Sequence, residues 1–288
     1  MDSDDKTRQG EMGTVPWQKT VVKYQVPDVR RSWWQVINTL VPYVVLWILM
    51  VLSLNISYWL TLLLAIPTAG FMIRTFILFH DCGHGSFFKS KRANDTLGII
   101  TGIMTFTPYY QWRHNHAVHH ATVGDLDRRG VGDVMTMTVA EYQSAPVWKK
   151  LGYRIMRNPL ILFTVGAPLS FAIGQRFSSR DASKKERFSV YWTNLALLVI
   201  ILLMSATIGI KAYVLVQLPI LVLGTVAGVW LFYVQHNFEG VYWERHDRWD
   251  FVKASLQGSS FYKLPGILKW FTGSIGYHHV HHLSLIHI

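Results

Sequence analysis

The stretch WRHNHAVHHATVGDLD, residues 112–127, sets three histidines close together: His116, His119 and His120 occupy positions i, i+3 and i+4. On a helix that turns by about 100° per residue, these three side chains point to the same side. Histidine is the commonest metal ligand in proteins because its neutral ring offers a nitrogen lone pair at neutral pH. We therefore predict a metal-binding helix in this stretch.

Two further stretches of the chain repeat this pattern. The string YHHVHHL holds His278, His281 and His282 at i, i+3 and i+4, and FHDCGHGSF holds His80 and His84 at i, i+4. A single histidine on an apolar surface is more often a packed residue than a metal ligand. Ten of the thirteen histidines fall in these three stretches, however, and that clustering favours a polynuclear metal site.

The composition indicates a membrane protein. Of the 288 residues, half are hydrophobic and only 16% are charged, while the formal net charge is +11. A basic chain can bind nucleic acid, but here Lys and Arg flank long apolar runs, so we expect no nucleic-acid partner. The single cysteine, Cys82, excludes an intramolecular disulfide, and we expect it to pack in the interior.

Four apolar runs are long enough to cross a bilayer as helices, at about residues 36–54, 58–79, 190–210 and 213–235. Very short connections join the first two runs and the last two. The predicted fold is therefore an all-α integral membrane protein whose four transmembrane helices form two hairpins. Residues 1–35 are predicted to be a cytoplasmic N-terminal segment without a signal peptide.

The distribution of basic residues predicts the orientation. Lys and Arg concentrate on the side of the N-terminus, most densely in Arg176–Arg187, and the positive-inside rule makes that side cytoplasmic. His236, at the end of the fourth run, and the three histidine clusters then form a cytoplasmic histidine-rich cap. Arg74 is expected to snorkel toward the headgroups. The apolar stretches 97–107 and 160–174 are expected to be too short to span.

Nine histidines are the predicted metal ligands: His80, His84, His116, His119, His120, His236, His278, His281 and His282. Nine imidazoles exceed the four ligands of a zinc site and suit two metals with four or five nitrogens each. Imidazole binds zinc, copper, nickel and iron, so the ligand type alone does not select the metal.

Four more residues are predicted to orient the ligands through hydrogen bonds: His114, His279, Asp125 and Asp127. For the two carboxylates, and for the arginines that follow them, contact with a polar substrate headgroup is an alternative. A solvated loop held by ion pairs is another.

The strings HDCGHGSFF, HHATVGDLDRRGVGD and GYHHVHHL, set around two apolar hairpins, resemble the membrane fatty acid desaturases, and bacterial acyl-lipid desaturases most. The resemblance covers residues 36–282. It implies a diiron cap in which the box histidines bind two irons on the cytosolic side and His236 completes the set. It also implies an enzyme of the bacterial inner membrane that uses O2 to remove two hydrogens from a lipid-linked acyl chain, leaving a cis double bond.

Electrons are expected to come from an external donor, because the sequence has no flavin or nucleotide motif. A small acidic carrier such as ferredoxin, docking on the basic cytoplasmic face, is the expected partner.

Two other functions compete with this interpretation. A histidine-box hydroxylase acting on alkanes, sterols or carotenoids would share the metal centre and insert oxygen into its substrate. A metal transporter would require ionisable residues near the middle of its spans, and the four apolar runs have almost none.

The last six residues, 283–288, are predicted to be a non-native tail. Family members continue beyond the third histidine box with a cytoplasmic segment, whereas this sequence reads LSLIHI. A transposase end used to tag DNA fragments for sequencing encodes the same six residues. His287 therefore receives no functional role.

Overall fold

The computed structural model describes residues 26–284, and this part of the chain is helical. It contains no β-strand, only two isolated bridges that pair Asp125 with Glu244 and Phe261 with Tyr277. Residues 1–25, most of the expected N-terminal segment, and residues 285–288 of the expected tail lie outside it. The α-helices, numbered here in chain order, are α1 Val29–Ser53, α2 Tyr58–His84, α3 Lys91–Met104, α4 Tyr109–Thr122, α5 Val139–Ser144, α6 Val147–Arg157, α7 Ala167–Ala172, α8 Lys184–Thr207, α9 Ile210–His236, α10 Phe251–Gln257, α11 Gly266–Phe271 and α12 His278–Ser284.

Four of these helices, α1, α2, α8 and α9, are long and apolar enough to cross a membrane. The prediction of four candidate spans is therefore confirmed, although the helices are longer than the apolar runs. Helix α1 begins at Val29, seven residues before the predicted start at 36, because Asp28 caps it by accepting hydrogen bonds from the backbone of Arg30 and Arg31. Helix α2 continues through both histidines of the first cluster and ends at Gly85, whose φ of 72° terminates the helix.

Helix α2 is the centre of the bundle and packs against α1, α3 and α9. Around the first histidine cluster, Leu78, Phe79 and Cys82 are buried together with Tyr109. The Tyr109 hydroxyl donates a hydrogen bond to the Cys82 carbonyl oxygen at 2.7 Å, which ties α4 to the end of α2. Cys82 thus packs in the interior, as expected from the sequence.

Arg74 does not snorkel, and that expectation is wrong. Its side chain is buried in α2, where Nε donates to Thr39 Oγ1 at 3.1 Å and a terminal nitrogen donates to the Trp270 carbonyl oxygen. The guanidinium carbon also lies 3.9 Å from the centre of the Trp270 ring. Helix α11 covers this arginine, and acceptors on α1 and α11 receive its hydrogen bonds. The guanidinium is therefore stabilised inside the protein and does not reach toward the lipid headgroups.

Residues 147–176 form a bent pair of helical segments. Helix α6 is followed by a π-helical turn, Ile161–Gly166, and by α7, with a bend of 74° between Val147–Arg157 and Ile161–Arg176. If the two segments crossed the membrane together, they would count by length and composition as a fifth span.

Candidate metal centre

Four elements carry the nine predicted ligands. The first cluster ends α2, the second lies on α4, the third lies on α12, and His236 is the last residue of α9. All nine imidazoles meet in one region, where their Nε2 atoms face one another. The shortest separations are 2.9 Å between His278 and His236 and 3.1 Å between His116 and His84.

The nine side chains divide into two groups, within each of which the candidate ligand atoms lie within 4.8 Å of one another. The five-histidine group is His80, His84, His116, His120 and His281. The four-histidine group is His119, His236, His278 and His282. This division matches two metals with five and four nitrogens, and metal binding by these residues stays a prediction.

Helix geometry explains why single clusters are split between the groups. Relative to position i, position i+4 is rotated by about 40° one way and position i+3 by about 60° the other way. On α4, His116 and His120 accordingly face one group and His119 the other. On α12, His278 and His282 stay together, while His281 joins the opposite group. In each of the two three-histidine clusters, the residue at i+3 thus belongs to the opposite group from its neighbours. The sequence spacing alone was enough to predict this division.

The tautomers show that the site fits a cation. His236 Nδ1 lies 3.2 Å from the Gly258 carbonyl oxygen, which can only accept, so this nitrogen carries the proton. His119 Nδ1 lies 2.8 Å from Asp133 Oδ1 and likewise donates. The Nε2 atoms of these two rings are therefore both bare, yet they face each other at 3.2 Å. Two opposed lone pairs at this distance repel each other unless a cation lies between them.

Protonation is disfavoured at five of the other candidate ligands. Burial is the main cause that lowers the pKa well below its ordinary value for the five histidines outside the membrane-spanning helices: His116, His120, His278, His281 and His282. Neighbouring imidazoles lower it further. These rings are neutral at physiological pH, which is the form that binds metals.

One carboxylate stands beside each group. Asp81 Oδ1 lies 2.9 Å from His80 Nδ1, and Asp133 supports His119 in the same way. Both partners fix the tautomer that leaves Nε2 free for a metal. Sequence reasoning missed them, although Asp81 directly follows His80 and Asp133 ends the quoted string RRGVGD.

No contact among the described residues supports the predicted orienting role of Asp125 and Asp127, which stays a prediction. Asp125 is fully buried and binds Arg128 Nε at 2.7 Å and His246 Nδ1 at 2.9 Å, while Asp127 binds Arg245 at 2.6 Å. The isolated bridge to Glu244 brings the loop after α4 against residues 244–246, so both carboxylates hold that junction.

His114 and His279 join neither group. The side chain of His114 is 58% exposed, and its Nδ1 lies 4.0 Å from Glu186 on α8. The His279 ring lies 6.1 Å from Phe261, and its Nδ1 is buried without a hydrogen-bond partner in the described residues. An orienting role for these two stays a prediction without a supporting contact.

A cavity of about 280 Å³ leads from the bundle to both groups. It reaches His80 and His116 of the five-histidine group and His278 of the four-histidine group. Its walls are mainly apolar side chains and glycines of α2 and α9, including Met72, Ile73, Phe76, Ile77, Gly224, Gly228, Leu231 and Phe232. At Gly228 an added Cβ would meet nothing within 4 Å, whereas at Gly224 it would lie 3.0 Å from Met72 Sδ. Met72 and Gly224 therefore lie in close contact in the cavity wall.

Fold and site together define a helical membrane protein built around clustered histidines that could hold metal. The family model "Fatty acid desaturase" matches residues 57–284, and the chain belongs to this family.

Among its relatives, a fatty acid desaturase of Bacillus subtilis (strain 168) is 49% identical over 266 residues, covering 92% of this chain and 76% of the relative. An sn-1 acyl-lipid omega-3 desaturase (ferredoxin) of Nostoc is 28% identical over 220 residues, 73% of this chain and 59% of the relative. A Delta(12)-fatty-acid desaturase of Arabidopsis thaliana is 25% identical over 231 residues, 72% and 57%. The chain thus spans under two thirds of the length of these last two.

Proposed function

We propose that this chain is an O2-dependent diiron desaturase that introduces a cis double bond into an acyl chain, with a lipid-linked chain as its substrate. The observation that carries the proposal is the apolar cavity that ends at both histidine groups. A hydroxylase could use the same groups and the same cavity. The relatives' printed activities are desaturations, which favours removal of hydrogen over insertion of oxygen.

The residues present fit two iron ions, one in each histidine group. When bound, the irons would supply the strong oxidant that an unactivated C–H bond requires, because such a bond has no acidity for a general base to use. The chain's own contribution is to hold nine imidazoles with their Nε2 atoms inward. Asp81 and Asp133 keep His80 and His119 in the ligating tautomer.

The cavity would hold the acyl chain in line with the histidine groups. Phe76 and Phe232 flank it near the histidines, and Phe76 packs edge-on against Trp112, which stacks on His116 with ring centres 4.3 Å apart. Such walls exclude water and limit the positions that a methylene pair can take.

We propose that α1 with α2, and α8 with α9, form two transmembrane hairpins whose histidine-bearing side faces the cytoplasm of a bacterial inner membrane. Short connections support the hairpins, since α8 ends at Thr207 and α9 begins at Ile210. The basic loop around Arg176–Arg187 supports the orientation.

Ferredoxin or a similar acidic carrier is the proposed electron donor. The name of the Nostoc relative includes ferredoxin, and the net charge of +11 would attract an acidic protein. Turnover with ferredoxin should fall at high salt while the bound metal stays constant. Turnover that ignores salt would count against electrostatic docking.

Fatty-acid profiling by gas chromatography–mass spectrometry, after expression in a bacterial or yeast host, tests the proposal. We expect a new unsaturated acid in cells with the wild-type chain and none with His119→Ala. A hydroxylated acid in its place would establish the competing reaction.

A further inference from the structure

Helix α6 turns its apolar side away from the protein. Trp148 is 74% exposed and Leu151 is 57% exposed. The basic side instead contacts the rest of the chain: Arg154 Nε donates to the Tyr142 hydroxyl at 2.5 Å, and Arg157 donates to Asn237 Oδ1 at 2.9 Å. In a chain with four candidate membrane spans, an apolar face turned outward on an amphipathic helix is suited to the interface of the bilayer.

The next segment continues this outward apolar surface. Ile161, Val165, Leu169 and Ile173 recur at every fourth position and are all exposed. Positions four apart lie on one face of a helical segment, so they form a stripe along it. The outer surface of residues 147–176 is therefore apolar on both sides of the 74° bend.

A second cavity, of about 560 Å³, lies between α6 and residues 129–141. Met135, Met137 and Met156 give it an apolar part, and Arg129 and Lys149 give it a basic part. It is separate from the apolar cavity at the histidines and lies beside α6.

The cavity has two cationic donors that the described residues leave available. Arg129 Nη2 binds Glu141 Oε1 at 2.5 Å, but Nη1 of the same guanidinium is buried and has no partner. The side-chain ammonium of Lys149 forms neither a hydrogen bond nor an ion pair within residues 26–284, whereas its backbone N–H donates to the Pro146 carbonyl oxygen. Arginine and lysine together are a common pair for binding phosphate oxygens.

Each of the two carboxylates at this cavity already accepts at least one hydrogen bond from within the protein. Glu141 binds Arg129 and also accepts a hydrogen bond from the Thr138 backbone at 2.8 Å. Asp133 uses Oδ1 for His119, and its Oδ2 is buried without a partner. That oxygen can accept a hydrogen bond from a hydroxyl or ammonium group next to a phosphate.

One backbone strap, residues 130–133, contributes to the lining of both cavities. Gly132 lines the apolar cavity, whereas Gly130 and Asp133 line the basic one. Gly130 has φ 110° and Gly132 has φ 73°, and a Cβ on Gly132 would lie 3.0 Å from His119 Cβ. Glycine at both positions lets the strap pass close to the second histidine cluster. A molecule with an acyl tail in the first cavity would therefore have its polar end near the second.

We propose that the cavity at Arg129 and Lys149 binds the phosphate ester of the acyl substrate while the tail lies at the histidines. This inference rests on the proposed function for the identity of the tail. Two sources share the phosphate chemistry, a phospholipid headgroup and the coenzyme A of an acyl thioester.

Native mass spectrometry of the full chain, purified in detergent, measures this binding without turnover. The three probes are dipalmitoylphosphatidylglycerol, palmitoyl-coenzyme A and dipalmitoylglycerol, which has no phosphate. Lys149→Gln is compared with Lys150→Gln, a matched control one residue away whose Nζ donates to the Gln143 carbonyl oxygen at 2.9 Å and does not line the cavity.

We expect Lys149→Gln to retain about threefold to fivefold less phosphate-bearing probe than Lys150→Gln, the size typical of an exposed charge pair. Adding Arg129→Gln should deepen the loss, and dipalmitoylglycerol should bind all variants equally. A loss with phosphatidylglycerol identifies a phospholipid headgroup, and a loss with palmitoyl-coenzyme A identifies the thioester carrier.

Equal retention by the Lys149 and Lys150 variants would overturn the proposal, as would an equal loss of dipalmitoylglycerol. Failure of the proposed function is distinguishable, because it would abolish unsaturated products in the wild type and leave the binding difference intact.

Discussion

Asp133 provides a test of whether the two histidine groups are separate metal sites. It accepts a hydrogen bond from His119 Nδ1 at 2.8 Å, and its side chain is only 8% exposed. Asp81 makes the corresponding contact with His80 in the five-histidine group. Asp133→Ala therefore removes the carboxylate from one group and leaves the other group's carboxylate in place.

The expected magnitude follows from the number of ligands affected. Removing the carboxylate behind a ligating histidine lowers metal affinity by about 10- to 100-fold. That range corresponds to about 1.4 to 2.8 kcal/mol of binding free energy. Because His119 is the one member of the four-histidine group with a carboxylate partner among residues 26–284, the whole loss should fall on that group.

The assay is a titration of the metal-free protein with Fe²⁺ in detergent, with bound iron measured by inductively coupled plasma mass spectrometry. The wild type should approach two irons per chain. Asp133→Ala should approach one at concentrations that saturate the wild type, and Asp81→Ala should weaken the other site instead.

Asp127→Ala is the control, since Asp127 binds Arg245 and its side chain is 42% exposed. Its titration should match the wild type. If Asp133→Ala weakened both sites equally, or changed neither, the assignment of Asp133 to a separate four-histidine site would be refuted.

Three further predictions concern the bundle. Gly228→Leu should fill the open space of the apolar cavity and reduce products from the longest acyl chains, whereas an unchanged product profile by gas chromatography–mass spectrometry would show that no tail reaches this depth. Gly98→Ala should lower the melting temperature in detergent, because the new Cβ would lie 2.1 Å from the Tyr109 ring and overpacking costs about 1–3 kcal/mol; equal melting would contradict this close contact. Arg74→Gln should destabilise the protein by about 1.5–3 kcal/mol, because it loses the charged hydrogen bonds to Thr39 and Trp270. The same melting assay measures this effect, with the exposed Arg92→Gln as the control. Equal effects of the two variants would argue against a stabilising role of these hydrogen bonds.

The spacing of the histidines in the sequence was enough to predict most of the candidate metal site. The i, i+3, i+4 pattern on α4 and α12 and the i, i+4 pair on α2 select eight of the nine imidazoles that the structure brings together, and the position of His236 at the end of the fourth apolar run adds the ninth. The same spacing also contained the division between groups, because positions i+3 and i+4 rotate in opposite directions from position i. Treating each cluster as a single face missed that His119 and His281 cross to the opposite group.

The supporting contacts could not be predicted in the same way. Asp125 was favoured because it follows the second cluster closely, yet Asp133, eight residues further along, is the one beside His119. A loop with two positive-φ glycines returns Asp133 to α4, and no periodicity encodes that return. The prediction that Arg74 snorkels was wrong for a similar reason, because its partner Trp270 is 196 residues away in the chain.

The crossing of ligands between clusters has a consequence for how the protein is made. His236 ends the fourth long helix, and His278, His281 and His282 are synthesised only after it. Neither histidine group is complete until the ribosome has passed residue 282, well after the four long helices have been made. Metal loading of these groups would then be a late step of biosynthesis, and newly made chains in iron-starved cells would be the ones that quality-control proteases remove.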